Sequence, residues 1–265
     1  MCNFDRRFTC FYFSSGWIGM KTKVMGIVNI TPDSFSDGGR FYRPEEAIRR
    51  AKNLISEGAD IIDLGAESTR PGAEPISWQT EWDRLAPVLE GLSPAEKGSV
   101  PVSIDTYHPE TAERALDMGA SIINCVFEGS VPAMLEICTK KHAEIVIPAR
   151  TLQGSVPNIK GTVPCSGGTV PCYFDPMIGF GTTREQDLEL LRAIPELAKR
   201  GRVLVGVSRK RIVKKLTGEK ITGKNLGGNL GMALWCARHG ASVLRVHDVL
   251  ETVQALKVTE TLDED

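Results

Sequence analysis

The sequence predicts a (β/α)₈ TIM barrel, on three observations. Short β-branched runs recur at residues 23–29, 60–65, 100–105, 121–124, 143–148, 172–175, 203–207 and 242–246. These runs are almost continuously apolar instead of alternating, as expected when both faces of a parallel sheet are covered. Amphipathic stretches at 44–57, 79–92, 109–118, 132–141 and 184–199 lie between them. Eight strands with interposed helices over about 245 residues suit such a barrel in count and length. A doubly wound open sheet is the alternative fold.

The junctions repeat one device. Gly58-Ala59-Asp60, Gly119-Ala120-Ser121 and Gly240-Ala241-Ser242 each place a glycine where a helix ends and a strand begins at once. One unit breaks the pattern. Between the fifth and sixth strands, residues 153–171 read QGSVPNIKGTVPCSGGTVP, with GTVPC at 161–165 and again at 168–172. Prolines and glycines every few residues argue against a helix. The crossover is therefore expected to lack its helix, or to replace it with a Gly/Pro-rich loop. That would leave the apolar flanks of strands five and six uncovered unless a partner chain or the N-terminal segment covers them.

The bulk numbers set limits. A formal net charge of −1 offers no general attraction to nucleic acid or an anionic membrane, so any anion site is local. Seven cysteines, odd in number and without C-x-x-C spacing, favour a reducing, cytoplasmic setting over disulfides or structural zinc. No stretch approaches the roughly 18 apolar residues of a membrane span. Residues 1–19 match nothing downstream and read as a disordered leader or a start set too early; residues 20–265 read as a single barrel domain.

Polar residues at the C-terminal ends of barrel strands mark the active face. Those ends carry Asn29, Asp63, Asp105, Asn124, Asp175, Ser208–Lys210 and Arg245–Asp248. Asp105, Asn124 and Asp175 are short acceptors, with Asn124 also a donor, and suit the amino-pyrimidinone edge of a heterocycle. Arg209, Lys210, Arg245 and His247 form a cationic group after the last two strands, the usual anion site of this fold. Two long loops, TPDSFSDGG at 31–39 and ESTRPG at 67–72, follow the first two strands and read as lids. For any one of these positions a loop cap or surface turn is the plain alternative.

The motifs resemble those of one family. MGIVNITPDSFSDGG at 25–39, DLGAESTRPGAEP at 63–75, SIDT at 103–106, IIN at 122–124, DPMIGFG at 175–181, GVSRK at 206–210 and RVHDV at 245–249 are similar to the ordered motifs of dihydropteroate synthases. That family condenses a pterin methyl diphosphate with p-aminobenzoate and releases pyrophosphate, in folate synthesis. The resemblance implies that Asp105, Asn124, Asp175 and Lys210 hold the pterin ring. It implies that Asn29 meets the Mg²⁺-bound diphosphate, while Arg245 and His247 clamp that leaving group. Thr69, Arg70, Pro71, Phe180 and Ser208 would shape the p-aminobenzoate site, with Asp33 and Phe35 closing over it. The residues implied to act in catalysis are Asp33, Arg70, Lys210, Arg245 and His247. It further implies a homodimer acting on small molecules, a sulfonamide target with no nucleic-acid or membrane partner.

Five departures cluster in the fourth to sixth units. Cys125 stands where the family has an acid after the strand-four Asn, Met177 where it has Gly after Asp-Pro, and Thr182 where it has Lys. The fifth strand ends in IPAR, with Pro148 and Arg150, and the helix after it is missing. An active synthase with a remodelled fifth unit is one reading, and a non-catalytic pterin- or phosphate-binding paralogue is the other. A pterin-dependent methyltransferase shares the barrel, but a methylated pterin offers no diphosphate for the basic group to hold.

Overall fold

The computed structural model describes residues 21–31, 43–68, 73–92, 100–152, 162–165 and 168–263. Nine strands are β1 (Lys23–Asn29), β2 (Ile61–Gly65), β3 (Val102–Asp105), β4 (Ile122–Asn124), β5 (Glu144–Pro148), β6 (Thr162–Cys165), β7 (Gly168–Asp175), β8 (Arg202–Val205) and β9 (Ala241–Val246). All but β6 run parallel, in the order β5-β4-β3-β2-β1-β9-β8-β7. Pairing of β5 with β7, from Ile145↔Cys172 to Pro148↔Asp175, closes the sheet into a barrel. The TIM-barrel expectation holds, and the open sheet is excluded.

The nine α-helices among the described residues are α1 (Pro44–Ser56), α2 (Trp78–Gly91), α3 (Pro109–Asp117), α4 (Val131–Lys141), α5 (Arg184–Arg192), α6 (Ile194–Arg200), α7 (Arg211–Thr217), α8 (Leu226–Arg238) and α9 (Val249–Asp263). Local chemistry fixes their ends. Ser77 caps α2 by accepting from Thr80 N at 3.2 Å, and Thr183 with Gln186 forms a reciprocal capping box on α5. At the other ends, Ala59, Ala120 and Ala143 each donate their backbone N–H five residues back, to Leu54, Ala115 and Cys138. The residue before each alanine is left-handed or nearly so, with φ of 98° at Gly58, 96° at Gly119 and 53° at His142. The predicted glycine-alanine device is therefore a helix stop, and His142 performs it without a glycine.

Two apolar layers result. Between sheet and helices lies a continuous core that includes Leu54, Leu64, Leu85, Ile104, Ile123, Phe174 and Val205. Inside the barrel lies a separate cluster of Met25, Ile61, Ile122, Val146, Tyr173, Leu204 and Val243, from seven of the eight barrel strands. Side chains alternate faces along a strand, so residues two further on point into the barrel one layer higher. From Ile61, Ile122, Tyr173 and Val243 that step reaches Asp63, Asn124, Asp175 and Arg245. The interior core thus sets which polar residues meet at the mouth.

The crossover from β5 to β7 has no α-helix among its described residues, and those residues are not only a loop. A short 3₁₀ turn spans Ala149–Leu152, and β6 then pairs antiparallel with the start of β7. The two GTVPC echoes are the arms of this hairpin, with Val163 opposite Val170. Both valines are buried in the outer core. The expected bare flank is corrected accordingly: the hairpin covers it. β6 lies at the sheet edge, where Pro164 has no further ladder to interrupt. Residues 1–19, with the leader assigned to them, lie outside the described residues. Among the described residues no helix is long and apolar enough to cross a membrane.

Candidate active site

The mouth of the barrel is organised around Arg245. Its Nε donates to Asp63 Oδ2 at 2.6 Å and its Nη2 to Asp105 Oδ2 at 2.7 Å. Asp63 is fully buried, and the same Oδ2 accepts from Asn124 Nδ2 at 3.3 Å. β9, β2, β3 and β4 therefore meet through one guanidinium and two carboxylates. The two acids hold Arg245 in its charged form, well above the ordinary arginine range, against the opposing effect of burial. Burial pushes Asp105 up to about 7; Arg245 pulls it down, while Asp63, Glu81 and Asp175 push it further up. Asp175 is also raised by burial, offset first by Lys210 and then by the Met177 N–H, which donates to its Oδ1 at 2.7 Å.

Lys210 completes this floor from the loop after β8. Its ammonium donates to the Ile178 carbonyl at 2.6 Å and lies 4.5 Å from the centroid of the Phe180 ring. Burial lowers it to about 8. Asp105, Asn124, Asp175 and Lys210 are thus brought together, and Asn124 Oδ1 is buried with no hydrogen-bond partner among the described residues. Such an orphaned acceptor, beside acids that sit high in their titration range, is an unfilled hydrogen-bonding face.

The basic group after the last strands is less free than its sequence suggests. Arg209 Nη2 donates to Asp248 Oδ1 at 2.5 Å. Ser208 Oγ lies 3.1 Å from His247 Nδ1 and accepts the His247 N–H at 3.3 Å. Burial, then Arg209 and Arg245, lower His247 to about 4, so at neutral pH it is an uncharged imidazole. Arg50 reaches from α1 to the His247 carbonyl at 2.8 Å.

Five sequence-assigned residues, Asp33, Phe35, Thr69, Arg70 and Pro71, lie outside the described residues. Phe180 and Ser208 are present, on the β7 and β8 loops. Asn29 ends β1, half-buried, opposite Gly65. Asp63, one of the polar strand ends that mark the active face but without an assigned partner, anchors the central arginine; its position two residues after the interior Ile61 is the signal that points to it. The sequence carries no signal for a second network. Glu67 Oε1 accepts from Tyr107 OH at 2.7 Å and, more distantly, from Ile76 N at 3.4 Å, while the buried Glu81 Oε2 accepts from Thr106 Oγ1 at 2.7 Å. It braces the turn directly after Asp105.

The chain's sequence and fold match known proteins. Residues 25–160 and 170–247 match a family model described as pterin binding enzyme. A dihydropteroate synthase of Synechocystis is 36% identical, over 92% of this chain and 91% of its own. The chain belongs to the dihydropteroate synthase family. A Xanthomonas albilineans dihydropteroate synthase with 4-aminobenzoic acid superposes with a TM-score of 0.80 at 34% identity, covering 92% of this chain and 94% of that one. The same organism's enzyme in complex with 7,8-dihydropteroate gives 0.74 at 30% identity, with the same coverage of both chains.

Within this family the departures take on definite surroundings. Cys125 is fully buried, donates to the Phe127 carbonyl, and is pushed by burial up to about 11, so it is a packed thiol and not a substitute acid. Pro148 is buried at the end of β5, paired in register with Asp175. Arg150 forms an exposed ion pair with Glu128. Met177 is buried yet holds φ at 62°, a conformation suited to the glycine that the motif resemblance leads one to expect there. None of these changes removes a member of the Asp63–Asp105–Asn124–Asp175–Lys210–Arg245 set.

Proposed function

We propose that this chain is a working dihydropteroate synthase, joining 6-hydroxymethyl-7,8-dihydropterin diphosphate to p-aminobenzoate with loss of pyrophosphate. The observation that carries the reading is the polar face in which Asp105, Asn124 and Asp175 converge around Arg245 with Lys210 beside them. Asp105 and Asp175 accept from the amino-pyrimidinone N–H groups, Asn124 supplies both a donor and an acceptor, and Lys210 donates to a ring acceptor. Arg245 orients Asp105 and, with His247, faces the diphosphate. An uncharged His247 beside Arg209 and Arg245 takes up a proton more readily once a multiply charged anion arrives.

As the bond from the pterin methylene to the diphosphate oxygen breaks, positive charge grows on carbon and negative charge on oxygen. Fixed donors at the leaving group stabilise that separation. The aniline nitrogen then forms the new bond and loses its proton to solvent, a step that needs positioning more than a strong base. Phe180 and Ser208 border the p-aminobenzoate side.

Mg²⁺ belongs to this reading. Among the described residues no group of three acidic, histidine or cysteine side chains is arranged to hold a metal ion. A half-buried Asn29 amide at the mouth fits an ion that takes most of its ligands from diphosphate and water. Such an ion would neutralise the leaving group. The free thiols Cys125, Cys138, Cys172 and Cys236 fit a reducing cytoplasm.

The homodimer also belongs here, through a surface away from the flanks of β5 and β7. An apolar groove of about 350 Å³ lies among α5, α7 and α8, lined by Leu188, Leu191, Val213, Leu216, Met232 and Trp235. Leu216 and Trp235 remain 46% and 37% exposed there. The native mass in solution should be that of two chains, and Leu216→Asp should halve it.

Growth of a strain lacking its own synthase separates the enzyme from a pterin-holding paralogue. Rescue is expected, and loss of rescue in Lys210→Ala should follow. No rescue by a soluble, well-expressed chain would favour the paralogue.

A further inference from the structure

One buried carboxylate organises the turn after β7. Asp187, in the first turn of α5, is fully buried. Its Oδ1 accepts from Gly179 N at 2.8 Å and from the Thr182 hydroxyl, which itself accepts from Gly179 N at 3.0 Å. Its Oδ2 is buried and has no hydrogen-bond partner among the described residues. Arg211 fastens the turn from the other side through the Thr182 carbonyl.

The turn so held presents two groups to Lys210, the Ile178 carbonyl and the Phe180 ring. Gly179, with φ of 81°, lets the lysine stem pass close: a Cβ there would stand 3.2 Å from Lys210 Cδ. The charged groups facing the ammonium are Asp175 from β7, Asp105 from β3, Asp187 from α5 and Arg245 from β9. A lysine at 182, which the motif resemblance leads one to expect there, would tie up the charge of Asp187 in a local ion pair. Thr182 is neutral and leaves that charge directed at Lys210.

We propose that Asp187 is a positioning residue for the reaction, fixing the 177–182 turn against Lys210 and lending its negative charge to the ammonium that holds the pterin. This rests on the synthase reading for what Lys210 binds, while the link from Asp187 through the Gly179 turn and the Ile178 carbonyl to Lys210 stands on geometry. Asp175 and Asp187 oppose the burial that brings Lys210 down to about 8, so removing either charge brings it lower.

The test is the titration of Lys210 in the ligand-free full chain, followed by NMR of lysines labelled at Cε and assigned with Lys210→Arg. Asp187→Asn keeps an acceptor for Gly179 and Thr182 but drops the charge. Its Lys210 midpoint should fall by on the order of half a pH unit, and the alkaline limb of kcat/KM for the pterin diphosphate should move with it. Asp187→Glu should leave the midpoint near its original value. Should Asp187→Asn not fold, Thr182→Lys supplies the same readout, because the new lysine claims the Asp187 charge and the Lys210 midpoint should again fall. An unchanged midpoint in a folded Asp187→Asn or Thr182→Lys chain overturns the proposal. A wild-type chain that shows this coupling but makes no dihydropteroate overturns the synthase reading instead.

Discussion

Arg245 Nε donates to Asp63 Oδ2 at 2.6 Å, tying the last barrel strand to the second across the first. Asp63 is fully buried and the Arg245 side chain 20% exposed, and removing the Asp63 carboxylate leaves this largely buried guanidinium with Asp105 alone to balance it. Asp63→Ala should therefore cost about 3 kcal/mol of stability in urea unfolding. Asp63→Asn should cost less, because an amide oxygen still accepts from Nε. Both should weaken pterin binding through Asp105, which shares the guanidinium. Wild-type stability in Asp63→Ala would mean that Arg245 is held by other means.

Acid should loosen the fold through His247. Its folded value of about 4 lies below the ordinary 6.5, so the unfolded chain binds the proton first. The stabilising contribution is complete above pH 6.5 and is lost as pH falls towards 4, on the order of 3 kcal/mol. His247→Gln has no such proton to take up. Its stability should decline less than that of the wild type between pH 6.5 and 4, and parallel curves would count against the assignment.

Pterin binding should be linked to protons in both directions. Ligand-free Asp105 titrates near 7, and heterocycle N–H donors favour its carboxylate, so binding at pH 6.5 should release a proton. Affinity should climb as pH approaches 7 and decline above about 8, where Lys210 loses its charge. Calorimetry in buffers of different ionisation enthalpy measures the released proton directly. A flat profile from pH 6 to 9 would remove Asp105 and Lys210 from the contact set.

Much of this could be read before the structure because barrel strands advertise themselves. Runs such as IIDLG at 61–65 are buried on both faces, so continuous apolarity identified them. Their polar last residues then marked the mouth. Pairing was harder to foresee. Asp63 and Arg245 are 182 residues apart, and only closure of the sheet makes them neighbours. The neutral state of His247 likewise depends on burial and on Arg209, Arg245 and Arg50, which come from three segments. The hairpin was hidden because Pro164 and Pro171 argue against strands in general, whereas Pro164 lies on an edge strand and Pro171 precedes the stretch of β7 that pairs with β5 and β8. Glu81 lay within an amphipathic helix, where an acid ordinarily faces water.

Met177 offers a contest between two effects of known size. A left-handed backbone costs a residue with a Cβ about 1–2 kcal/mol, while deleting a buried methionine side chain costs about 2–5. Packing should win. Met177→Gly should be less stable than the wild type despite relief of the strained φ, and Met177→Ala should be the least stable, losing the packing and keeping the strain. Chemical denaturation gives the order, and a Met177→Gly chain more stable than the wild type would show that the side chain contributes little.

Turnover at the Asp105–Asn124–Asp175–Lys210 face is measured by calorimetry of pterin diphosphate binding with and without Mg²⁺, followed in the same sample by p-aminobenzoate and a pyrophosphate assay. Binding should be strengthened by Mg²⁺, and pyrophosphate should be released only after the second substrate is added. Binding without release would contradict the synthase reading and leave a pterin-holding protein built on a synthase barrel.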